Sequence, residues 1–117
     1  MKLTQPQALD LWRQVLAKSL AANGTDLTAR QMLLLLTVYR TDGPHTVRGL
    51  AAGMGISKPA VTRALDRLGQ LDLTRRKRDE SDRRNVLVQR TVKGSVFLAD
   101  FAATVGDTAA TVTRPGQ

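Results

Sequence analysis

Residues 49–71, GLAAGMGISKPAVTRALDRLGQL, limit the possible folds more than any other stretch of the chain. A short apolar segment is followed by glycines at 53 and 55, and Ser57 then stands at the start of a second helical segment. That second segment repeats apolar residues at the spacing of one helix face: Val61, Leu65 and Leu68. Two short helices joined by a Gly-containing turn are typical of a helix-turn-helix, whose second helix can enter the major groove of DNA.

The residues before this stretch are also predicted to be helical. Residues 6–22 have apolar side chains at three-to-four spacing and begin with a proline suited to a first helical turn. Residues 28–41 open with a capping box, Thr28 and Gln31, and continue as a nearly unbroken apolar run, which predicts a central core helix. A third, short helix is predicted from Thr46 to Gly53.

A highly charged stretch, TRRKRDESDRRN at 74–85, follows the helix-turn-helix and contains no apolar residue. We predict strands on both sides of the polar connection DESDRR, because the segment after it, NVLVQRT, contains β-branched residues. Asp72, at the exit of the preceding helix, can adopt the left-handed conformation that usually selects glycine. Helix, turn, helix and charged hairpin together predict a winged helix-turn-helix fold, mostly α with a small β-hairpin.

The positive charge of the chain is concentrated in the same half. The net charge is +8, and the excess of basic over acidic residues between positions 45 and 93 accounts for +7 of it. A localised basic excess is expected of a protein that binds a polyanion, since each cation near a phosphate releases a condensed counterion. The alternative is a basic face that only keeps the protein in solution.

The solvent-facing side of the second helix is chemically suited to DNA. Ser57 is a good N-cap, Pro59 fits the first turn, and the free backbone N–H groups at this end can meet a phosphate. Thr62 and Arg63 lie far enough along the helix to contact base edges. Asp66, three residues after Arg63, could hold its guanidinium in one orientation. The alternative is an ordinary amphipathic helix with surface ion pairs.

In the hairpin, the basic strand residues would follow the DNA backbone, and the tip would approach a minor groove. Acidic residues in such a loop would repel phosphates if they were left unpaired. We therefore expect at least one of them to pair with a neighbouring arginine. The alternative is a disordered charged loop.

Between Leu27 and Gly94 the chain resembles the MarR family of bacterial transcription regulators, as a short member. The resemblance is carried by LTARQMLLL, GLAAGMGISKPAVTRALDRL and DESDRRNVLVQRTVKG. It implies a sequence-specific double-stranded DNA-binding regulator, which we expect to be a repressor, with helix 57–71 in the major groove and wing 75–91 on the backbone and minor groove. One departure is Arg90, where the second wing strand usually has an apolar residue.

The predicted DNA contacts lie on both elements. The resemblance implies contacts near the start of the helix and one arginine at the wing tip, Arg83 or Arg84, with Asp82 pairing an arginine to set the shape of the tip. With the exposed basic residues of both elements, the predicted contact set is Ser57, Lys58, Pro59, Thr62, Arg63, Arg67, Arg75, Arg76, Arg78, Asp82, Arg83 and Arg84.

The two ends of the chain are short for this family. We predict a single domain over 1–110, with a DNA-binding core at 27–94, flanking helices at 5–22 and 93–110, and a disordered tail at 111–117. Family members usually dimerise through long terminal helices, and a small-molecule effector between the dimer and DNA-binding regions is disfavoured here by the short ends. A homodimer is still expected, because both ends carry apolar residues: Leu3, Leu9, Trp12, Leu16, Leu20, Val96, Phe97, Phe101 and Val105.

Catalysis, cofactors and bound metals are not expected. Cysteine is absent, and His45 is the only histidine, for which a surface or capping role is predicted. The sequence shows no Gly-rich phosphate loop after a strand and no nucleophile with a base partner. It also shows neither signal-peptide features nor an apolar run near the roughly 18 residues of a membrane span, so we expect a cytoplasmic, nucleoid-associated protein.

Three other functions are open alternatives. A non-specific or architectural nucleoid protein would share the basic wing but would show little preference among DNA sequences. A winged-helix protein-interaction module would dock the wing on an acidic partner. RNA or single-strand binders usually place aromatic residues on a basic surface, whereas the four aromatic residues here lie outside the basic half: Trp12, Tyr39, Phe97 and Phe101.

Overall fold

The computed structural model describes residues 2–23 and 25–115. In these residues the helices and strands are α1 (Gln5–Asn23), α2 (Ala29–Arg40), β1 (His45–Thr46), α3 (Val47–Met54), α4 (Lys58–Gln70), β2 (Thr74–Arg78), β3 (Val86–Arg90) and α5 (Val92–Val112). The chain forms two compact units: Leu27–Phe97, and Met1–Asp26 with Leu98–Gln117. None of the helices within the described ranges has the length and apolar character needed to span a membrane.

The Leu27–Phe97 unit has α2 at its core. The Gln31 N–H donates to Thr28 Oγ1 (3.1 Å) and the Thr28 N–H donates to Gln31 Oε1 (2.9 Å), which confirms the predicted capping box. Three side chains of α2 are almost completely shielded from solvent: Leu34, Leu35 and Val38. They form an apolar core with buried residues of the two following helices: Val47, Leu50, Ala51, Ala60, Val61, Ala64, Leu65 and Leu68.

Helices α3 and α4 form the predicted helix-turn-helix. Thr46 caps α3 by accepting a hydrogen bond from the Gly49 N–H (2.9 Å). The helix ends at Met54, one residue later than predicted, and Gly55 provides the C-cap in the left-handed conformation with φ 66°. A side chain is disfavoured in this conformation, so the second of the two glycines terminates the helix. Ser57 then caps α4, which buries the predicted apolar face.

The strands form a three-stranded antiparallel sheet in the order β1-β3-β2. β2 and β3 are the predicted hairpin, and Arg76 pairs with Val88 in its register. The additional strand, β1, pairs His45 with Val88 and Thr46 with Leu87 on the other side of β3. The winged helix-turn-helix fold is therefore confirmed, with one more strand than the sequence predicted.

Tyr39 joins the root of the wing to α2. Its hydroxyl donates to the Leu73 carbonyl (2.7 Å), at the start of the wing, and accepts from the Thr91 N–H (2.8 Å), at its end. Asp72, beside this junction, has φ 57°, which confirms the predicted left-handed conformation. A Cβ atom at Gly94 would overlap both the Tyr39 hydroxyl and the Leu73 carbonyl. The junction therefore requires glycine at position 94.

The second unit contains α1 and residues 98–112 of α5. The Gln7 N–H donates to Thr4 Oγ1 (3.2 Å) at the start of α1, and Lys18 Nζ donates to the buried Thr108 Oγ1 (2.9 Å) on α5. One face of α1 leaves large apolar side chains exposed: Leu9, Trp12, Leu16 and Leu20.

The C-terminal helix corrects the predicted tail. α5 includes residues 111 and 112, which were expected to be disordered, because Val112 is buried and the Thr111 hydroxyl donates to the Asp107 carbonyl (3.0 Å). Residues 113–115 form turns and a bend after the helix. The last two residues of the predicted tail, 116 and 117, lie outside the described residues.

Candidate nucleic-acid interface

The start of α4 offers fewer backbone donors than the sequence suggested. The Ala60 N–H donates to Ser57 Oγ (3.2 Å), the Val61 N–H donates to the Ser57 carbonyl (3.1 Å), and Pro59 has no N–H. Within the described part of the chain, the Lys58 N–H is the donor of this first turn that has no bonded acceptor. A phosphate here would meet one backbone N–H and the Lys58 ammonium.

The outward face of α4 carries cations that are free to bind a ligand. Lys58, Arg63 and Arg67 are exposed, and their charged groups form no ion pair or hydrogen bond with any described residue. Thr62, beside Arg63, is half-buried. An arginine without an internal partner can direct its fork of N–H donors to the O6 and N7 acceptors of guanine.

The predicted Arg63–Asp66 contact is wrong. Asp66 Oδ1 instead accepts a hydrogen bond from Arg76 Nη2 on β2, at 2.6 Å. The strand places the Arg76 guanidinium beside the carboxylate, so that Asp66 is already neutralised. Asp66 therefore links α4 to the wing, and no charged side chain of the described residues pairs with Arg63 to orient it.

The four basic residues of β2 have different surroundings. Arg76 pairs with Asp66, and Arg78 Nη1 donates to the Arg83 carbonyl (2.8 Å) across the hairpin. Arg75 lies 3.6 Å from Asp72 but keeps 69% of its side chain exposed. Lys77 is exposed and its ammonium has no partner in the part of the chain that the structure describes. The strand thus offers Lys77 and Arg75 to a polyanion more openly than Arg76 or Arg78.

The wing tip is closed by hydrogen bonds. The Asp79 N–H donates to the Asn85 carbonyl (3.1 Å), and the Asn85 N–H donates to the Asp82 carbonyl (2.9 Å). Asp79 Oδ1 accepts from the Ser81 hydroxyl (2.7 Å) and the Ser81 N–H (3.0 Å), and these two bonds lower the pKa of the Asp79 carboxyl. The tip is an ordered turn rather than a disordered charged loop.

Asp82 forms the predicted pair with an arginine, and the partner is Arg84. Arg84 donates from Nε to Oδ1 and from Nη2 to Oδ2, both at 3.0 Å, and its N–H donates to Oδ1 at 3.2 Å. The side-chain bonds from Arg84, followed by its backbone N–H, lower the pKa of Asp82, and the positive charge of Arg48 adds to this effect. The Arg83 guanidinium, in contrast, has no partner among the described residues.

Residues 27–86, just over half of the chain, match the model of the MarR family. The chain belongs to the MarR family. This confirms the resemblance inferred from the helix-turn-helix and wing motifs. No match is found among curated protein sequences.

Several solved protein structures share the fold. YusO from Bacillus subtilis is 25% identical with a TM-score of 0.77, and the match covers 93% of this chain and 74% of YusO. MepR of S. aureus, solved as a complex with DNA, is 20% identical with a TM-score of 0.77, covering 91% and 85% of the two chains. Overoxidized AbfR bound to DNA is 25% identical with a TM-score of 0.67, covering 87% and 73%.

Arg90, the departure from the MarR pattern, has a structural role. Arg90 Nε donates to the Val38 carbonyl (2.9 Å) and Nη2 donates to the Thr41 carbonyl (3.2 Å), while the guanidinium carbon lies 5.8 Å from the centre of the Tyr39 ring. A His45 ring nitrogen lies 3.2 Å from the same Thr41 carbonyl, in agreement with the predicted capping role. Both side chains satisfy carbonyls at the C-terminal end of α2.

Two basic residues of this MarR-family chain were missed by the sequence-based selection. Arg48 is exposed on α3, and its charge acts on Asp82 at the wing tip. Lys77 was not in the predicted contact set, although the neighbouring arginines of β2 were. The alternation of side chains along a strand could have identified Lys77, since it shares a face with Arg75 rather than with Arg76. The placement of Arg48 near the tip depends on the tertiary fold and has no local pattern.

Proposed function

We propose that this MarR-family regulator binds duplex DNA as a homodimer and represses transcription by occluding the DNA that it covers. In this proposal α4 enters the major groove, where Thr62 and Arg63 contact base edges. The start of the helix approaches the DNA backbone with Ser57, Lys58 and Pro59. Arg67 lies toward the far end of the helix. The observation that carries the proposal is the set of cations on α4 and the wing that have no partner among the described residues. The neighbouring acidic residues, within the same described ranges, are all internally bonded except Glu80.

The wing supplies backbone and minor-groove contacts. Arg75 and Lys77 lie along the exposed face of the strand, and Arg78, which donates to the Arg83 carbonyl, lies nearer the tip. The guanidinium of Arg83, which has no partner among the described residues, is the side chain at the tip that can enter a narrow minor groove. Arg84 is braced by Asp82 and holds the turn in shape. MepR and AbfR, two matched proteins of the same fold, were solved bound to DNA, which supports this mode of binding.

The homodimer is supported by the exposed apolar face of α1. Leu9 is 64%, Trp12 62%, Leu16 47% and Leu20 53% exposed. An aromatic and three leucines on one helix face favour burial against a second copy, since exposed apolar patches of this kind mark interaction sites. A two-fold dimer presents two copies of α4 to half-sites about one turn of DNA apart, so we expect a pseudo-palindromic site. We place this activity in the cytoplasm, on the nucleoid, and propose no catalytic reaction.

The test is selection of bound duplexes from a random DNA pool at about 150 mM salt, where weak non-specific contacts are suppressed. An enriched inverted repeat, together with a dimer by analytical ultracentrifugation, is the expected result. Binding at low salt without any enriched sequence would contradict the proposal and favour a packaging role. Retention by an acidic protein that unrelated duplex DNA fails to displace would favour the protein-interaction alternative.

A further inference from the structure

We propose that the Asp66–Arg76 ion pair positions the wing relative to α4, and thereby sets the distance between the bases contacted by the helix and the DNA contacted by the wing tip; this rests on the DNA-binding function proposed above. The pair joins two elements, with Asp66 Oδ1 on α4 and Arg76 Nη2 on β2 separated by 2.6 Å. The other ion pairs of the described residues each join positions two or three apart in the sequence: Arg13–Asp10, Arg75–Asp72 and Arg84–Asp82.

Arg76 is better placed to brace the wing than to bind a phosphate. Its strand partner is Val88, which is buried, so Arg76 lies on the face of the hairpin that packs toward the helices. Its side chain is 33% exposed, compared with 69% for Arg75 and 78% for Arg84. A guanidinium that is already paired with a carboxylate releases fewer counterions from DNA than a free cation does.

Asp66 is also an unfavourable residue for a DNA-facing helix unless it has this partner. It follows Arg63 on the exposed side of α4 and is itself 53% exposed. An unpaired carboxylate there would repel phosphates. Pairing with Arg76 removes that repulsion and joins helix and wing in one step.

The effect of the pair is amplified by the length of the hairpin. Since a strand rises about 3.3 Å per residue, the tip lies roughly 15 Å beyond Arg76, and a tilt of about 5° at the ion pair moves the tip by more than about 1 Å. A displacement of that size exceeds the range of good N–H···O distances, which is about 0.5 Å wide. The angle of the wing at Arg76 therefore decides whether helix and tip can contact one DNA site simultaneously.

The experiment compares Asp66→Asn with a matched control, Asp72→Asn. Both substitutions remove one negative charge and one ion pair with a β2 arginine. The partner of Asp72 among the described residues is Arg75, which is three positions away in the sequence and not on a distant element. Asparagine also tolerates the left-handed backbone of position 72. A third variant, Asp66→Arg combined with Arg76→Asp, restores the pair with its charges exchanged. Melting temperatures of all variants verify that they fold.

The first readout is affinity for a panel of duplexes derived from the site selected by the unmodified protein, with base changes either under α4 or in the flank under the wing. We expect Asp66→Asn to discriminate among base changes under α4 as the unmodified protein does. Its preference among flank sequences, where DNA shape is recognised, should fall by about three- to tenfold. The charge-exchanged variant should recover at least half of that preference on a logarithmic scale. Asp72→Asn should change all affinities by the same factor.

The second readout needs no DNA and separates this proposal from the proposed function. Amide hydrogen exchange at residues 79–85 should be several-fold faster in Asp66→Asn and in Arg76→Gln than in Asp72→Asn. If the unmodified protein shows no sequence preference while exchange rises as expected, the function proposed above is wrong and the positioning role of the pair stands. The positioning role would be overturned if Asp66→Asn and Asp72→Asn showed equal exchange and equal flank preference. It would also be overturned if the charge-exchanged variant folded but did not recover its flank preference.

Discussion

The recognition helix α4 and the wing carry similar charged side chains, but different interactions hold them in place. α4 is anchored by five buried side chains: Ala60, Val61, Ala64, Leu65 and Leu68. The two wing strands bury only Thr74 and Val88, and the tip is closed by hydrogen bonds and ion pairs among exposed groups. Burial of apolar surface is worth about 25 cal/mol per Å², whereas exposed ion pairs contribute roughly 0–1 kcal/mol and are screened by salt. Displacing α4 would therefore expose apolar surface and destabilise the fold. The wing, in contrast, can change its geometry without unfolding the protein.

The largest effect is expected at the anchor of α4. Leu65→Ala should lower the free energy of unfolding by about 3 kcal/mol, because Leu65 is fully buried and its truncation leaves a cavity. Urea denaturation followed by circular dichroism measures the loss. Gln70→Ala, an exposed position on the same helix, should change the value by less than about 0.5 kcal/mol. Equal losses in the two variants would show that α4 is not anchored by its buried face.

The next effect concerns the root of the wing. Tyr39→Phe should lower the free energy of unfolding by about 2 kcal/mol, since it leaves the Thr91 N–H and the Leu73 carbonyl without their partner. The same denaturation experiment measures this loss, and amide exchange of the Thr91 N–H should accelerate. An unchanged exchange rate at Thr91 would show that the hydroxyl does not hold the wing.

On DNA, a change in α4 should alter the choice of base. Arg63→Ala should reduce discrimination at one base pair by about 1.5 kcal/mol, because its guanidinium has no partner in the described part of the chain and is available to guanine. Affinities for a set of duplexes that differ at single positions measure the change. A uniform loss on every duplex would assign Arg63 to the phosphate backbone instead.

The smallest effect is expected from the wing strand. Lys77→Ala should weaken binding to all duplexes by less than about 1 kcal/mol and should reduce the slope of log affinity against log salt concentration by about one. Lys2→Ala removes the same charge from an exposed position in the other unit and should leave the slope unchanged. Base-specific losses in Lys77→Ala would mean that the strand takes part in base recognition.

The helix and the wing also differ in how well they could be predicted from sequence. The buried face of α4 follows from a spacing of three to four residues, which depends only on local geometry, and its cap at Ser57 is adjacent to the helix. The partner of Asp66 is ten residues away on a different element, so the local choice of Arg63 was wrong. Arg90 contacts carbonyls about fifty residues earlier in the chain, and no local pattern could indicate that.

Short elements also limited how much of the fold could be predicted from the sequence. β1 has two residues, too few to show the alternation of side chains that identifies a strand, and it forms only because β3 provides a pairing edge. The end of α3 was misplaced because two glycines stand close together, and the sequence does not state which of them has positive φ. The family match supports the overall fold, while the assignment of individual DNA contacts stays a prediction.

The packing at Gly94 has a consequence for how sequences of this type can diverge. A Cβ atom there would collide with the Leu73 carbonyl as well as with the Tyr39 hydroxyl. Replacing Tyr39 could remove one collision, but no side-chain substitution removes a backbone carbonyl. No single substitution elsewhere can therefore make room for a side chain at position 94. We expect glycine to persist there in every descendant that retains this wing root.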